Sequence, residues 1–321
     1  MNQRLRLVVL CAAVMLLPGI ASAQVPRSGI RLLVPTAAGG PIDYSARVLA
    51  EAMRARLGVP VLVENRTGAN GAIAAAAVKQ AAPDGGMLLV ATPGMLTISP
   101  HLEKNLPYAV SDFTPVVPVS YVDTALVIGA HIPARNIKEF VELARNARPP
   151  LALGSAGTGN ITHGYIEIFK GAAKINLLHV PYKGIASAFA DVLGGQIAGT
   201  FAALNLALPQ IKTGKVTVLG MVGKTRSALA SEYPTLAEQG YPGIEFNTWT
   251  ALVGPRNLPR EVVTAISSAA SRALRSEEVR AKLLSAGITP WLITTEEFSQ
   301  AVRDESVRWE KLIVEKRIFG E

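Results

Sequence analysis

The sequence predicts an α/β protein that folds as two lobes. From residue 30 onward, short apolar strands alternate with segments whose apolar residues recur at helical spacing. This pattern is typical of layered α/β sheets with largely parallel strands. The chain has 321 residues, 49% of them hydrophobic, so it is long and apolar enough to bury a large core. Two loops of small residues in similar strand–loop–helix contexts favour two lobes with a site between them.

The first loop spans residues 36–40, after a predicted strand at 30–34 and before a predicted helix at 42–57. None of its side chains is larger than that of threonine, and Pro41 suits the first helical turn because its missing N–H would be unpaired there. The N–H groups at a helix start point outward, and the helix dipole favours negative charge beside them. We therefore expect this loop to bind a carboxylate or a phosphate.

The second loop, residues 154–160, repeats this design. A short apolar strand is predicted at 151–153 before it, and a helix at 161–170 after it. Glycine again removes the side chains that would keep a ligand away from the backbone. The two loops together predict two half-sites that face each other across a cleft.

The other elements are predicted from apolar runs, turn residues and helix caps. The further strands are at 59–63, 87–91, 116–121, 125–128, 177–180, 197–203, 216–221 and 249–253, and the further helices at 69–81, 137–146, 185–193, 259–274, 277–285 and 295–315. Asn136 with Glu139 three residues later resembles a capping box, and Thr295 with the glutamates after it marks the start of the last helix. The pattern becomes all helical after residue 253.

The chain begins with a predicted leader. Arg4 and Arg6 form a positive segment, residues 7–17 are apolar, and Ala21-Ser22-Ala23 has the small residues of a cleavage site. The apolar run of 11 residues is well below the ~20 that a helix needs to span a bilayer. We therefore expect an exported protein that is cleaved after Ala23.

Composition argues against several classes of function. Cys11 is the only cysteine, so a chain cleaved after Ala23 has none for a disulfide, a nucleophile or a thiolate metal site. The formal net charge of +8 is dispersed, without a dense basic run or an aromatic platform, which argues against nucleic acid as a partner. Because the sequence has no His-x-x-x-His pair and no calcium loop, we expect no metal site.

Signatures of catalysis are weak. Ser155 lies in a motif that superficially resembles a nucleophile elbow, but Leu153 stands where the G-x-S-x-G pattern requires glycine. His163 and His179 are candidate bases, and neither has a carboxylate orienter that is evident in the sequence. The glycines of this loop also have the reverse of the G-x-G-x-x-G spacing that a dinucleotide fold requires.

Three polar residues near the loops have two interpretations each. Asp43 lies in the first turn of a predicted helix, where it either complements the helix dipole or contacts the ligand. His163 is either a helix-packing residue or a binding group. Tyr182, at the end of a predicted strand, belongs either to the core or to the pocket.

A series of motifs in a fixed order resembles one known family. The motifs are Pro35-Thr36-Ala37-Ala38-Gly39-Gly40-Pro41-Ile42-Asp43, Val63-Glu64-Asn65-Arg66-x-Gly68-Ala69-x-Gly71, Pro83-Asp84-Gly85, Asp112-Phe113-Thr114-Pro115-Val116, Gly154-Ser155-x-Gly157-x-Gly159-x-x-x-His163, His179-Val180-Pro181-Tyr182-Lys183-Gly184, Gly194-Gly195-Gln196, Pro234-Thr235-x-Ala237-Glu238-x-Gly240, Trp249 and Gly254-Pro255. Together they resemble the Bug receptors, the TctC-type extracytoplasmic solute-binding proteins of tripartite tricarboxylate transporters. The resemblance runs through the whole chain after the leader.

This resemblance implies a type II periplasmic-binding-protein fold, in which two crossing strands join two α/β lobes and the ligand occupies the cleft between them. The expected division is a signal peptide at 1–23, a first lobe from 24–122 and 248–321, and a second lobe at 123–247. In the family the two glycine loops grip one carboxylate of the ligand, partly through ordered water. Carried over to this sequence, the expected ligand-binding residues are Thr36, Ala38, Gly39, Gly40, Asp43, Thr92, Ser155, Gly157, Thr158, Gly159, His163 and Tyr182.

Three positions depart from the family pattern. Thr36 stands where an aromatic residue is usual, Gly164 where leucine is usual, and Ala198 where aspartate is common. Thr36 and Ala198 are expected near the cleft, where they would alter the choice of ligand.

The function implied by the resemblance is that of a periplasmic receptor, not an enzyme. The receptor binds a small mono-, di- or tricarboxylic acid or an amino acid and delivers it to the membrane permease subunits of a tripartite tricarboxylate transporter. We expect a monomer without a cofactor. The alternative is a ligand sensor that docks on a two-component histidine kinase, and the third interpretation is a serine hydrolase that uses Ser155. Turnover assays would separate the hydrolase from the other two, and only partner capture would separate the receptor from the sensor.

Overall fold

The computed structural model describes residues 25–227, 229–315 and 319, so the predicted leader lies outside the described residues. Two β-sheets are flanked by helices. The strands are β1 (Ile30–Val34), β2 (Val61–Asn65), β3 (Met87–Ala91), β4 (Phe113–Val122), β5 (Thr124–Gly129), β6 (Ala152–Ser155), β7 (Leu178–Pro181), β8 (Gly199–Ala203), β9 (Val216–Met221), β10 (Thr248–Pro255) and β11 (Ile288–Pro290).

The helices alternate with the strands up to β9, except between β4 and β5, and dominate the C-terminal part. They are α1 (Pro41–Leu57), α2 (Ala72–Lys79), α3 (Ser99–Leu102), α4 (Ile137–Asn146), α5 (Ile161–Ala173), α6 (Ile185–Leu193), α7 (Leu204–Lys212), α8 (Arg260–Arg275), α9 (Glu277–Ser285) and α10 (Thr295–Glu310). Short 3₁₀ turns occupy Ala69–Gly71 and Val110–Asp112, and π-helical turns occupy Gly94–Ile98 and Lys311–Glu315. No helix among the described residues is long and apolar enough to cross a membrane.

The six-stranded sheet has the order β11-β4-β10-β3-β1-β2. Strand β1 pairs in parallel with both β2 and β3, whereas β10 runs antiparallel to β3 and β4, and β11 runs antiparallel to β4. The loops after β1, β2 and β3 therefore lie along one edge of this sheet. That edge is where ligands bind in open α/β sheets.

The five-stranded sheet has the order β7-β6-β8-β5-β9. Strand β6 is parallel to β7 and β8, and β5 is antiparallel to β8 and β9. The loops after β6, β7 and β8 again share one edge. We call the six-stranded sheet with its packed helices the first lobe, and the five-stranded sheet with its helices the second lobe.

Two connections cross between the sheets. Strand β4 continues through the single residue Asp123 into β5, and the chain returns from β9 through residues 222–247 into β10. Both sheets are mixed, so the prediction of largely parallel strands is wrong. The reason is that the crossing strands enter each sheet from the other lobe, without the crossover helix that keeps neighbouring strands parallel.

Element boundaries differ from the predictions where tertiary contacts decide them. The second strand begins at Val61 because its pairing with β1 starts there, opposite Ile30. The helix predicted at 69–81 is interrupted at Asn70, whose φ of 48° and ψ of 33° are left-handed. The cap of α10 is Thr294, one residue before the predicted start, and its hydroxyl accepts from the Glu297 N–H.

The end of α10 belongs to the core of the second lobe. Trp309 is fully buried and stacks on Phe246, with ring centroids 4.5 Å apart. Gly164 in α5 faces the same indole, and a Cβ atom at this position would overlap the Trp309 ring. The departure at Gly164 therefore has a packing reason, because the indole occupies the volume of a larger side chain.

Candidate ligand-binding cleft

The loop after β1 is held by one buried carboxylate. Asp43, 3% exposed, accepts hydrogen bonds from the Gly39 N–H at 2.9 Å, from Arg47 Nε at 3.0 Å and from Asn65 Nδ2 at 2.8 Å. Burial opposes ionisation, but the hydrogen bonds from Arg47, Gly39 and Asn65 outweigh it and hold the pKa of Asp43 below its usual value. The carboxylate is therefore ionised at neutral pH and fully occupied by its own lobe.

Gly39 and Gly40 leave the surface of this loop open. A Cβ on Gly39 would meet no atom within 4 Å, and one on Gly40 would meet only the Ala37 carbonyl, at 3.8 Å. The first bond of α1 is donated by the Tyr44 N–H to the Gly40 carbonyl, so the N–H groups of Ile42 and Asp43 precede the helical ladder. This helix start offers the anion-binding surface that the sequence predicts.

Asn65 fixes the base of the same loop. Its Nδ2 donates to the Thr36 carbonyl at 2.9 Å as well as to Asp43, while its Oδ1 accepts from Arg47 at 2.9 Å. The Thr36 hydroxyl is buried without a hydrogen-bond partner among the described residues. Ala38 is exposed at the tip of the loop. Asn65 stands in a motif that carried the family resemblance, but the sequence alone indicates no role for it.

The third loop at this edge follows β3. The carbonyl of Thr92 accepts from the N–H groups of Met95 and Leu96, at 3.1 and 3.2 Å, and so turns the chain into the π-helical segment. Thr92 itself is 9% exposed. The structure thus places Thr92 at the same edge as the residue 36–40 loop, beside β1.

The loop after β6 is held by hydrogen bonds to side chains of β6, β7 and α5. Ser155 Oγ lies 2.6 Å from His179 Nε2 and accepts from the Gly157 N–H at 3.1 Å. The Gly159 N–H donates to His163 Nδ1 at 3.2 Å. The two glycine N–H groups that the sequence suggests for a ligand are therefore bound within the loop in this structure.

The two histidines form a stacked pair, with ring centroids 3.7 Å apart. Burial, the neighbouring imidazole of His179 and Lys170 lower the pKa of His163 to about 3, and burial with Lys170 lowers the pKa of His179 to about 4. Both rings are therefore neutral at pH 7. Ser155 is 0% exposed, and a base with a pKa near 4 abstracts a proton poorly at neutral pH, so the pair lacks the properties of a hydrolase site.

Thr158 and Tyr182 have contrasting environments. Thr158 is exposed at the tip of the residue 154–160 loop. The hydroxyl of Tyr182 donates to Asp191 at 2.7 Å, and burial together with this bond raises the pKa of Tyr182 to about 12. Its ring lies against Gly154, where a Cβ would meet the Tyr182 Cε2 at 3.1 Å. The Tyr182 side chain thus packs on α6, and Thr158 is the more accessible of the two.

Asn70 joins the two lobes at the cleft. Its Nδ2 donates to the carbonyl of Gly159, at 3.2 Å, across a sequence separation of 89 residues. The sequence alone indicates no role for Asn70, although the Asn70-Gly71 dipeptide is a usual signal for a left-handed turn. This bond brings the loop after β2 against the loop after β6.

Ala198 does not lie where the sequence suggests. It precedes β8, at the amino end of this strand, with its N–H bound to the Ala152 carbonyl and its carbonyl bound to the Gly129 N–H. The cleft loops follow the carboxyl ends of the strands. The expectation that Ala198 lies near the cleft is therefore wrong, and the small residue fits a buried position in the sheet.

Within the part of the chain that the structure describes, no three histidine, cysteine, aspartate or glutamate residues are grouped to hold a metal ion. The small-residue loops lie at the carboxyl edges of the two sheets, and the loop after β2 meets the loop after β6 between the lobes. Two α/β lobes with such loops at their junction have the arrangement of a solute-binding protein of the periplasmic type. The family model described as "Tripartite tricarboxylate transporter family receptor" matches residues 45–318, so the chain belongs to this family, the TctC or Bug type.

Three solved structures are similar over most of the chain. The periplasmic binding protein BugD is 31% identical, with a TM-score of 0.83 over 91% of this chain and 99% of that one. MatC from Rhodopseudomonas palustris, with bound malate, is 30% identical, with a TM-score of 0.81 over 89% and 98%. A second R. palustris protein, with adipate, is 29% identical, with a TM-score of 0.85 over 92% and 98%.

These similarities confirm the predicted family and the predicted α/β fold with two sheets. Because the family consists of transporter receptors, the prediction that the protein is a binding protein and not an enzyme is also confirmed. The choice of ligand-binding residues stays a prediction.

Proposed function

We propose that this chain is the periplasmic receptor of a tripartite tricarboxylate transporter, and that it binds a small carboxylic acid between its two small-residue loops. Its family membership supports the receptor role. The malate and adipate in two similar proteins support carboxylic acids as the ligand class, with dicarboxylates as the first to test.

One observation carries this proposal. The bond from Asn70 to Gly159 joins the loop after β2 to the loop after β6, and β1 is the neighbour of β2 in its sheet. The amino ends of α1 and α5 therefore lie on the two sides of one cleft. Two helix starts with small residues before them provide partial positive charge and backbone donors for one carboxylate.

The proposed grip on the acid uses backbone groups more than charged side chains. The proposed donors are the N–H groups at the start of α1 and Thr158 from the second lobe. Ala38, Gly39 and Gly40 leave the space in which the carboxylate would lie. The negative charge of Asp43 does not oppose the acid strongly, because Arg47 neutralises it at 3.0 Å. Ser155, His163 and Asp43 have internal partners, and we assign them the role of shaping the loops.

The predicted leader supports export to the periplasm, and the two connections between the lobes support a hinge motion. We propose cleavage after Ala23 and a periplasmic product whose lobes are 24–122 with 248–321 and 123–247, with the end of α10 packed into the second lobe. The lobes close around the acid by bending near Asp123 and residue 247. The closed form would then deliver the acid to the membrane subunits of the transporter.

A thermal-shift screen of residues 24–321 tests the ligand class. We expect malate, adipate or another small carboxylic acid to raise the melting temperature, because an acid at 100 times its Kd stabilises the fold by ~2.7 kcal/mol. The panel includes citrate, glutamate, benzoate and, as neutral controls, the diamides of malate and adipate. The proposal fails if no acid shifts the transition, or if the diamides shift it equally.

A further inference from the structure

The side chain of Asn70 is shared between the two lobes. Its Nδ2 donates to Ser99 Oγ in its own lobe at 3.1 Å and to the Gly159 carbonyl in the second lobe at 3.2 Å. Its Oδ1 lies 3.5 Å from Asn160 Nδ2, also in the second lobe. Both amide hydrogens are thus used, one on each side of the cleft.

The backbone around Asn70 is built to direct this side chain. Asn70 has the left-handed angles that few residues other than glycine and asparagine adopt readily. Gly94 lies beside the amide, and a Cβ there would be 3.0 Å from Asn70 Nδ2. Ala69, the residue before it, has a φ of 44°, which is costly for alanine, and backbone strain that neighbouring contacts stabilise is typical of positions with a function.

The backbone of Gly159 is positioned to accept the hydrogen bond from Asn70. Its N–H is fixed by His163, which sets the direction of the peptide next to the carbonyl that Asn70 binds. Its φ of 72° favours glycine, and a Cβ at this position would lie 2.9 Å from Cδ2 of Leu102 in the first lobe. The absent side chain therefore lets a polar and an apolar residue of the first lobe approach the same loop.

We infer that Asn70 is an interlobe latch, by which we mean its paired hydrogen bonds to Ser99 and Gly159. The latch is a positioning element that holds the cleft closed over a bound acid and slows its release. This inference rests on the proposed function, since release is meaningful only for a receptor. Because the lobes close after the acid has met one of them, loss of the latch should raise the dissociation rate and spare the association rate.

Two variants remove the hydrogen bond to Gly159 and differ in what else they change. Asn70→Gly suits the left-handed backbone and deletes the amide, whereas Asn70→Asp keeps the shape but has no N–H to donate to the Gly159 carbonyl. The matched control is Asn257→Gly. Asn257 also has a left-handed φ, 65°, but it is exposed and follows β10 at the edge of the sheet opposite the cleft.

The first readout is the distance between the lobes. Cys11 is the only cysteine of the sequence, so residues 24–321 accept spin labels at Gln80→Cys and Asn176→Cys without background. Both sites are exposed and lie at the amino edges of the two sheets, away from the latch. By pulsed electron paramagnetic resonance, without any acid, we expect longer distances in both Asn70 variants and an unchanged distribution in the control. Unchanged distributions in folded Asn70 variants would overturn the latch.

The second readout is the kinetics of malate and adipate binding by stopped flow. We expect each Asn70 variant to release the acid about 3- to 10-fold faster, the loss of about one net hydrogen bond, with the association rate kept. A loss confined to the association rate would overturn the inference. If neither acid binds even the parent protein, the proposed ligand class fails, and the distance measurement alone decides the latch.

Discussion

Gly39 and Gly40 are adjacent glycines that the structure uses for different reasons. Gly39 has a φ of 85°, in the region that glycine adopts and other residues avoid. Gly40 has a φ of −80° and a ψ of 169°, which is ordinary extended backbone. The first glycine therefore serves the turn, and the second serves the open space above it.

This difference predicts that substitutions at the two glycines have separable effects. Gly39→Ala should lower the free energy of unfolding by about 1–2 kcal/mol, the cost of a left-handed alanine. Gly40→Val should cost about 1 kcal/mol, because Gly40 caps α1 and valine caps a helix poorly. It should also abolish the binding of a confirmed acid, because its side chain fills the space that the carboxylate needs. Urea unfolding measures the first effect and titration calorimetry the second.

Gly214→Ala is the control for strain away from the cleft. Gly214 has a φ of 69°, and a Cβ atom at this position would meet no other atom within 4 Å. Alanine there should therefore cost similar stability without loss of binding. Wild-type affinity in Gly40→Val would contradict the proposed role of the first loop.

At the scale of elements, α5 and α10 meet where Gly164 faces Trp309. Gly164→Leu should destabilise the protein by at least about 1–3 kcal/mol, the usual cost of overpacking a well-filled core. Adding Trp309→Ala to Gly164→Leu should restore part of the loss, because the leucine then fills volume that the indole has left.

Chemical denaturation of the two single variants and the double variant measures this coupling as a double-mutant cycle. Because Trp309→Ala alone leaves a large cavity, it should cost about 3–5 kcal/mol. If the free-energy changes of the two single variants simply add in the double variant, leucine at position 164 does not contact the indole.

At the scale of the whole molecule, two crossings and one latch predict closure on binding. Small-angle scattering should give a smaller radius of gyration when malate or adipate saturates the protein, because the acid raises the fraction of molecules in which the lobes are closed. The same acid should leave the radius of Gly40→Val unchanged. An equal radius in the bound and unbound wild-type protein would mean that the site is rigid or permanently closed.

Local patterns predict the elements better than they predict the site. Helix α4 begins and ends at the predicted residues because Asn136 caps it and its apolar face has a clear helical period. Helix α7 is absent from the predicted elements, and Pro209 inside it weakens the local pattern. The short strand β11 is absent from them too, since only its pairing with β4 makes it a strand.

The roles of individual site residues depend on distant parts of the chain. The small-residue loops could be recognised because strand, loop and helix are contiguous in sequence. The partner of the Thr36 carbonyl could not, since Asn65 comes from another strand, 29 residues away. For Ser155 the sequence leaves His163 and His179 as alternatives, and the structure pairs it with His179. The latch at Asn70 spans 89 residues and depends on how the two lobes meet.

The burial of Trp309 has a consequence for how this protein can be divided. Residues 123–247 form a continuous stretch that could be excised as one piece, with both of its ends near the crossings. Such a fragment would lack the indole that stacks on Phe246 and covers Gly164. Its apolar core would therefore contain a cavity of about the size of a tryptophan side chain. A separate synthetic peptide of residues 295–315 would supply this tryptophan, so it should bind the excised lobe and fill the cavity.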